Sequence, residues 1–518
     1  MNRAQQLEQL KGRRELWDIA IVGGGATGLG AAVDAASRGH SVVLIEQHDF
    51  AKGTSSRATK LVHGGVRYLE QGDLALVLEA LRERGRLLRN APHLTHAMPF
   101  VIPCYRWWEA PFYGLGLMLY DALAGRRGLG RTRLLSAGEV RDRLPTVRAD
   151  GLQRGVLYYD GQFDDARLAL ALARTAVVQG ATVVNYVRCG GFLKERNDIV
   201  GVRVTDVETG EEHDVRARVV LNATGVFVDA LRQQDRSDVV SLVKPSQGVH
   251  LVLEREFLPG DTALLIPKTT DGRVLFAVPW NGRVIVGTTD TPVAETSLEP
   301  RALEEEIELI LTNAARYLAR PPTRADVRSV FAGLRPLAHR SAVAHTAALS
   351  RRHVIEVSNS GLITITGGKW TTYRQMAEDV VTRAEEWAAL TPGLCVTATL
   401  PLDDDADRAI AALAAGDPAL ARALHPRLPY RRADVVWSVR EAMARTVEDV
   451  LARRTRALFL DAQASIDVAE DVAALMAGEL GWSAAQQAAQ VRQYCKLAGG
   501  YLLESKGASD GAPPSLSS

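Results

Sequence analysis

Apolar residues along the chain mark three buried strands that each lead through glycine into a helix. Residues 17–46 give a strand, a glycine turn, a helix from about 28 to 37 and a second strand, which together form a βαβ unit. Residues 218–223 and 362–366 are further buried-strand candidates, each followed by glycine and a helical pattern. Because strands that alternate with helices favour parallel pairing, the pattern predicts an α/β domain with a parallel sheet.

Shorter apolar runs with turn signals lie between the second and third of these units. Asp271-Gly272 and Asn281-Gly282 are dipeptides typical of tight turns between antiparallel strands. We therefore expect a mixed or antiparallel sheet, inserted as a cap into the α/β domain, with segments at roughly 95–160 and 240–330. Its predicted strands are 248–253, 263–266, 274–278 and 284–288.

A change of composition near residues 400–408 (LPLDDDADR) marks a boundary. An Ala-, Leu- and Arg-rich segment with helical periodicity follows it to about residue 503. The last fifteen residues lack core-forming side chains, which predicts disorder. The expected parts are an N-terminal arm (1–16), a discontinuous α/β domain with its cap (17–395), an all-helical domain (400–503) and a disordered tail (504–518).

Composition and charge mainly exclude classes of protein. The 518 residues are 47% apolar, and 62 basic against 61 acidic side chains leave a net charge of +1, which gives no indication of nucleic-acid binding. The four cysteines form no C-x-x-C pair, so we expect no metal site and a reducing compartment. No apolar run approaches the length of a spanning helix, and residues 1–16 lack the apolar core of an export signal.

Gly23, Gly25 and Gly28 form a G-x-G-x-x-G motif between the first strand and the first helix. In such a motif the glycines allow a tight turn, close approach of the backbone to a pyrophosphate and close packing of helix on strand. Glu46 ends the second strand, where its carboxylate would accept hydrogen bonds from a ribose. The motif predicts a dinucleotide site, with a turn that merely packs as the alternative.

The choice between FAD and NAD depends on segments far from this motif. Residues 222–225 (NATG) and 367–369 (GGK) repeat the passage from strand to glycine. In this the chain resembles FAD-dependent oxidoreductases of the glutathione-reductase and amino-acid-oxidase type, which implies a Rossmann-type FAD-binding domain; ordinary turn glycines are the alternative. By the resemblance, the cofactor-binding residues include Ala223, Gly225, Gly367, Gly368 and Lys369.

Several uncommon strings occur together in one family. They are 54–60 (TSSRATK), 61–69 (LVHGGVRYL), 331–337 (FAGLRPL), 366–374 (TGGKWTTYR) and, in the helical part, 447–456 (VEDVLARRTR). From about residue 17 to 385 the chain thus resembles the FAD-dependent, aerobic-type glycerol-3-phosphate dehydrogenases. The resemblance implies oxidation of sn-glycerol 3-phosphate to dihydroxyacetone phosphate, with electrons passed from FAD to membrane quinone. It adds to the expected cofactor-binding residues Thr54, Ser55, Ser56, His63 and Gly64.

A dianionic phosphate needs cations, and arginine suits it because its planar guanidinium donates two parallel hydrogen bonds. We expect Arg67 and Lys369 to bind the phosphate, with Tyr68 and Thr371 as neutral donors. Arg351 matches a substrate-binding arginine of the family if one residue is inserted upstream of it; a solvated surface arginine is the alternative.

The expected catalytic residues are Arg335 and His250. Arg335 would lie by the C2 oxygen of the substrate and favour its alkoxide character as hydride leaves. His250 corresponds to a family histidine near the substrate and could accept the C2 hydroxyl proton, although Gln247-Gly248-Val249 stands before it where the family usually has Lys-Gly-Ser. The alternatives are a histidine satisfied within a strand core, and His63 as the base.

Residues 107–133 combine an apolar, aromatic stretch with Arg126, Arg127, Arg131 and Arg133. The stretch is too short to span a bilayer but suits contact with anionic headgroups; a buried helix of the cap is the alternative. The resemblance implies a peripheral enzyme on the cytoplasmic face of the inner membrane, and a homodimer stays open.

Three other functions stay open at this point. A glycerol-3-phosphate oxidase would share the first half-reaction and use oxygen as acceptor. An FAD-dependent oxidase of a 2-hydroxy or 2-amino acid would keep the fold and change the substrate. A non-catalytic electron-relay protein would bind FAD without oxidising any small alcohol.

Overall fold

Two sheets and a set of C-terminal helices build the structure, a computed structural model that describes residues 1–65, 73–338 and 353–503. The strands are β1 (Trp17–Val22), β2 (Val42–Glu46), β3 (Leu61–Val62), β4 (Thr95–Cys104), β5 (Arg133–Ser136), β6 (Arg154–Phe163), β7 (Thr182–Asn185), β8 (Val187–Glu195), β9 (Asp198–Asp206), β10 (Glu212–Asn222), β11 (Val243–Glu254), β12 (Ala263–Ile266), β13 (Leu275–Trp280), β14 (Arg283–Gly287), β15 (Thr291–Pro292), β16 (Val327–Ala338), β17 (Val354–Val357) and β18 (Leu362–Thr366). The helices are α1 (Arg3–Gly12), α2 (Ala26–Ser37), α3 (Leu74–Asn90), α4 (Glu109–Ala124), α5 (Ala137–Arg143), α6 (Asp165–Val178), α7 (Val228–Asp235), α8 (Glu304–Ala315), α9 (Tyr373–Trp387), α10 (Ala406–Gly416), α11 (Arg432–Ala442), α12 (Ala457–Leu460), α13 (Ala462–Asp467), α14 (Ala469–Leu480) and α15 (Ala484–Gly499).

The first sheet has the strand order β17-β18-β10-β1-β2-β7. All neighbours pair in parallel except β17, which is antiparallel to β18, and the β8–β9 hairpin extends β10. Helices α2, α6 and α9 cover one face with alanine, leucine and valine side chains. The strands β2 and β10 flank β1 on opposite sides, so a crevice opens at the carboxyl end of β1. Ligands of open parallel sheets bind in such a crevice. The predicted Rossmann-type domain is confirmed.

The second sheet has the strand order β15-β11-β14-β13-β12-β4-β6-β3, with β16 beside β11 and β5 beside β6. Its pairs are antiparallel except β12 with β4, which confirms the mixed cap sheet. Asn281 and Gly282, with φ of 45° and 75°, join β13 to β14 as the predicted tight turn. The sheet extends past the expected cap segments, because β3 precedes them and β16 ends at Ala338.

The helices from α10 onward pack against the second sheet and the α/β domain. Leu458 and Phe459 of α12 share a buried cluster with Trp280 and Phe331 of the second sheet. The acidic residues that precede α10 are held against α6, since Asp403 forms an ion pair with Arg174 of that helix at 2.7 Å. One turn of this region, Asp449–Arg454, is π-helical.

Two local features differ from the sequence-based expectation. The N-terminal arm contains α1, which is fixed by the buried Arg3 through its ion pair with Asp206 at 2.8 Å. Helix α2 begins at Ala26, two residues before the expected start, because Gly25 takes the extended conformation of an N-cap. The predicted disordered tail, 504–518, lies outside the described residues.

Candidate active site

The glycine motif forms the nucleotide end of the crevice. Gly23 has a φ of 114°, and a Cβ atom on it would lie 2.6 Å from the carbonyl oxygen of Ala223. A Cβ atom on Gly28 would lie 1.9 Å from the carbonyl oxygen of Gly23. Both positions require glycine, because the backbones of β1, β10 and α2 meet here without room for a side chain.

Ser55 and Glu46 hold the backbone around this turn. The hydroxyl of Ser55 accepts the N–H of Ala26 at 2.9 Å, at an N-terminus of α2 that has no side-chain cap of its own. Glu46 accepts the N–H of Gly24 at 2.7 Å and that of His48 at 2.8 Å. Glycine backbone and a helix N-terminus therefore form a cradle suited to a pyrophosphate.

The three strand–glycine units converge on this cradle. Ala223 donates its N–H to the last residue of β1 at 2.9 Å. The hydroxyl of Thr366 donates to the carbonyl of Gly225 at 3.3 Å, and the indole of Trp370 donates to the carbonyl of Ser55 at 2.9 Å. Segments that are remote in sequence thus meet where parallel strands end.

The third unit lies beside the residues that follow β3. Gly367 and Gly368 have φ of 82° and 72°, a conformation that favours glycine. Lys369 then begins the 3₁₀ turn Trp370–Thr372, and the hydroxyl of Thr371 accepts the N–H of His63 at 3.3 Å. The structure therefore brings His63 together with Thr371.

The backbone N–H of Gly64 forms a hydrogen bond with a side chain of the protein. It donates to the hydroxyl of Tyr120 in α4 at 2.7 Å, and a Cβ atom on Gly64 would lie 2.5 Å from that oxygen. Tyr120 donates in turn to Asp160 at 2.9 Å, which pairs with the buried Arg84 at 2.7 Å. Tyr120 lies in an apolar stretch without a motif, so its contact with Gly64 has no signal in the sequence.

Three glycines on one face of the second sheet make room for three basic side chains. A Cβ atom on Gly248 would lie 2.2 Å from the guanidinium of Arg335, one on Gly287 2.3 Å from the ring of His250, and one on Gly333 2.8 Å from Cβ of Arg57. In the strand register Gly248 pairs with Gly333, and His250 pairs with Gly287. Since alternate residues of a strand share a face, His250 and Arg335 lie on the side that meets residues 54–60.

Arg335 is fixed by oxygen acceptors on three sides. Its guanidinium donates to the carbonyls of Gln247 at 3.1 Å and Thr289 at 2.9 Å, and to the hydroxyl of Thr288 at 3.0 Å. Asp290 lies at 3.5 Å. The geometry holds a partly exposed cation at a defined place beside His250.

His250 is buried and held by one hydrogen bond and one stacked ring. Its Nε2 lies 2.9 Å from the hydroxyl of Thr59, and its ring stacks on Phe331 with centroids 4.7 Å apart. Nδ1 is buried and has no hydrogen-bond partner among the described residues. Burial lowers the pKa of His250 well below 6.5, and the positive charges of Lys60 and Arg335 act in the same direction, so the ring is neutral at pH 7.

Lys60 lies fully buried behind this histidine. Its ammonium donates to Asp165 at 2.6 Å and to the carbonyl of Ser56 at 2.9 Å. The rings of Trp280, Phe331 and Phe459 surround it at 5.3 to 5.4 Å. Burial, assisted by the charge of Arg456 and opposed by that of Asp165, lowers the pKa of Lys60 to about 7. No local sequence pattern predicts the role of Lys60.

Thr54 joins residues 54–60 to the second sheet, because its hydroxyl donates to the carbonyl of Leu334 at 2.6 Å. Arg67, Tyr68 and Arg351, which were expected to bind substrate, lie outside the described residues. Among the residues that are described, no group of three or more His, Cys, Asp and Glu is arranged to hold a metal ion. The same part of the chain contains no helix long and apolar enough to cross a bilayer.

Comparison with known proteins shows which family the chain resembles. The FAD dependent oxidoreductase family matches residues 18–374, and the C-terminal domain of alpha-glycerophosphate oxidase matches residues 404–487. The mitochondrial glycerol-3-phosphate dehydrogenase of Rattus norvegicus is 40% identical over 532 residues, which cover 93% of this chain and 73% of that protein. The probable mitochondrial enzyme of Caenorhabditis elegans is 40% identical over 526 residues, with coverages of 92% and 73%.

A solved structure covers nearly the whole chain. The glycerol-3-phosphate dehydrogenase of Bacillus halodurans complexed with FAD superposes with a TM-score of 0.77 at 29% identity, covering 96% of this chain and 97% of that one. The glycine cradle, the converging strand ends and the inserted mixed sheet described above fit the same cofactor. The chain belongs to the family of FAD-dependent glycerol-3-phosphate dehydrogenases.

Proposed function

We propose that the protein oxidises sn-glycerol 3-phosphate to dihydroxyacetone phosphate with FAD and passes the electrons to a membrane quinone. The observation that carries this proposal is that a neutral, buried His250 and a fixed Arg335 lie on the sheet face that meets residues 54–60. The family to which the chain belongs favours glycerol 3-phosphate over other small alcohols.

FAD would be held at the crevice between the first sheet and α2. The backbone of Gly23, Gly25 and Gly28, with the N-terminus of α2, would face the pyrophosphate, and Glu46 the ribose. Further contacts would come from Thr54, Ser55, Ser56, His63, Gly64, Ala223, Gly225, Gly367, Gly368 and Lys369. When bound, FAD supplies the acceptor for the hydride that leaves C2.

His250 takes the proton of the C2 hydroxyl at Nδ1. The Nε2–H group can donate to the hydroxyl of Thr59, which leaves a lone pair on Nδ1 that no described residue engages. A neutral ring is the form that can accept a proton, and the low pKa of His250 keeps it neutral. The backbone N–H of His63 donates to Thr371, which places this residue beside the third strand–glycine unit, where it would contact the cofactor.

Arg335 binds the C2 oxygen and stabilises its negative charge as the proton leaves. Because its guanidinium is already oriented by three oxygen acceptors, it loses little freedom when the substrate binds. Lys369 and Thr371, from the third strand–glycine unit, bind the phosphate together with Arg67, Tyr68 and Arg351.

The outer face of α4 is a membrane-docking surface, defined here as the exposed apolar side chains of residues 107–119 with the arginines of residues 126–133. Ala110, Gly114 and Leu117 bury the inner face of the helix, while Trp107 is 79% exposed and Leu115 74%. The apolar side chains can enter the headgroup boundary and the arginines can bind anionic lipids. A quinone-reducing enzyme needs such contact, and four free cysteines fit the cytoplasmic face.

The docking surface is tested with Leu115→Glu/Leu119→Glu, both on the exposed side of α4. We expect this variant to leave anionic vesicles that retain the wild-type protein, because two charges would have to enter the headgroup boundary. The matched control is Val240→Glu/Leu394→Glu, which alters two residues that are equally apolar and exposed at 77% and 82% but lie elsewhere. Wild-type partition of the α4 variant in a sedimentation assay would disprove docking through this helix.

The reaction is tested by anaerobic mixing of the purified holoprotein with sn-glycerol 3-phosphate while the visible flavin absorbance is followed. We expect bleaching that a quinone analogue reverses and that air reverses slowly. Rapid reversal by air with one hydrogen peroxide per turnover would identify an oxidase instead. Bleaching only by a 2-hydroxy or 2-amino acid would overturn the substrate, and no bleaching by any small alcohol would indicate an electron-relay protein.

A further inference from the structure

Residues 54–60 connect the parts of the candidate site. Ser55 accepts the N–H of Ala26 at the N-terminus of α2 and the indole N–H of Trp370, both at 2.9 Å. Thr54 donates to the second sheet, and Thr59 contacts Nε2 of His250. The placement of this segment therefore fixes the nucleotide cradle and the orientation of His250 at once.

The helical C-terminal domain supports this segment from behind. The guanidinium of Arg456 donates to the carbonyl of Ser56 at 2.7 Å and to Asp165 at 3.1 Å. Asp165 also accepts the N–H of Ala58 at 2.9 Å and the ammonium of Lys60 at 2.6 Å. One buried guanidinium from the C-terminal domain and one buried carboxylate from α6 thus hold both ends of the turn that presents Thr59.

The same C-terminal stretch binds the preceding residues of the α/β domain. Lys52 pairs with Glu448 at 2.7 Å, and the buried Asp49 pairs with both Arg453 and Arg454. Residues 448–456 therefore contact residues 49–60 at repeated points along both segments. Because unpaired buried charges are costly, each contact restricts the segment to one position.

We propose that Arg456, acting through Asp165 and Lys60, is a positioning residue by which the C-terminal domain fixes Thr59 and thereby orients His250 for catalysis. Lys60 and Arg456 both have left-handed backbone conformations, with φ of 65° and 63°, which non-glycine residues keep only where their surroundings demand it. Lys60 lies beside both residues that hold the ring of His250. It follows Thr59 in the chain, and its ammonium lies 5.3 Å from the ring centre of Phe331. The inference rests on the proposed role of His250 as the base.

The test is a double-mutant cycle between Arg456→Lys and Thr59→Val, measured on the FAD-loaded protein with sn-glycerol 3-phosphate and a quinone analogue. Lysine keeps the charge of Arg456 but lacks the planar group that reaches both Ser56 and Asp165. We expect each single change to lower kcat about tenfold or more with little change in KM, because it misplaces the base and not the phosphate ligands. In the double variant the two losses should not add, because both act through the same contact.

Two control variants and one spectroscopic measurement accompany the cycle. Thr59→Ser keeps the hydroxyl and should restore kcat to within about twofold of wild type. Arg445→Lys alters another C-terminal arginine, which pairs with Glu208 at the surface at 2.7 Å, and should leave kcat unchanged. Visible circular dichroism of the bound flavin should change in Arg456→Lys and not in Arg445→Lys, whatever substrate the enzyme uses.

Additive losses in the double variant, or unchanged kcat and flavin spectrum in Arg456→Lys, would overturn the inference. If Arg456→Lys fails to fold, the comparison of Thr59→Val with Asp165→Asn replaces it, and additive losses there have the same meaning. Failure of the proposed function has a different signature, since sn-glycerol 3-phosphate would then not bleach the wild-type protein at all.

Discussion

The nucleotide cradle and the second sheet use glycine for opposite purposes. In the cradle, Gly23 and Gly28 remove side chains so that backbone can touch backbone, with a Cβ atom on Gly28 only 1.9 Å from a carbonyl oxygen. In the second sheet, Gly248 and Gly287 remove side chains so that the guanidinium of Arg335 and the ring of His250 can occupy the space. The first arrangement suits a cofactor bound through main chain, and the second places the two side chains for which we propose roles in catalysis.

This difference explains why the two regions should respond differently to the same substitution. Backbone atoms at the cradle cannot move without displacing β1, β10 and α2 together. The side chains of His250 and Arg335 in the second sheet can move, but they would then lose the orientation that their proposed roles require. Adding one methyl group should therefore destroy binding at the first place and impair catalysis at the second.

Gly28→Ala should have the largest effect. Because its Cβ atom would meet the carbonyl of Gly23, we expect the variant to lose bound FAD and about 3 kcal/mol of unfolding free energy. Flavin absorbance after gel filtration and a denaturant titration measure both quantities. The matched control is Gly478→Ala in α14, where nothing lies within 4 Å and alanine should stabilise the helix by about 0.5 to 1 kcal/mol. Equal FAD content in the two variants would contradict the requirement for glycine at position 28.

Gly287→Ala should have an intermediate effect, mainly on catalysis. Its Cβ atom would lie 2.3 Å from Cδ2 of His250 and 2.9 Å from the carbonyl oxygen of Val249, so the ring must turn away from Thr59 and the strand must shift slightly. We expect about a 100-fold fall in kcat with FAD still bound. Gly248→Ala should cost less, about tenfold, because its Cβ atom meets only the guanidinium at the far end of Arg335, which can shift without moving backbone. Steady-state kinetics and flavin content measure both variants. A loss of FAD from Gly287→Ala would show that the two regions do not differ as described.

The cradle could be predicted from the sequence because its parts are local. A strand, three glycines and a helix within thirty residues determine the turn at Gly23 to Gly28, and the two other strand–glycine units each carry their own signal. The antiparallel hairpin at Asn281-Gly282 could be predicted for the same reason.

The substrate side depends on contacts between distant segments, which periodicity does not reveal. That His250 lies over Gly287, and that its Nε2 meets Thr59, follow from strand register and domain packing. Lys60 and Asp165 form a buried pair across 105 residues, and Tyr120 reaches Gly64 from a helix predicted only as an apolar stretch. Charged and aromatic residues of this kind carry no local pattern, so only the folded chain shows their role.

The smallest expected effect concerns the pH dependence of stability, to which the buried His250 contributes. Since the pKa of His250 in the folded protein lies well below 6.5, the unfolded chain binds a proton below that pH while the folded protein does not. Stability should therefore fall as pH decreases from about 6.5, by at most about 1.4 kcal/mol per pH unit for this one group. His250→Gln should remove that part of the slope. Unfolding midpoints at pH 7.5 and 5.5 measure the difference. Equal slopes in the wild type and His250→Gln would show that the ring binds its proton at the same pH in the folded and unfolded protein, so that burial does not lower the pKa of His250.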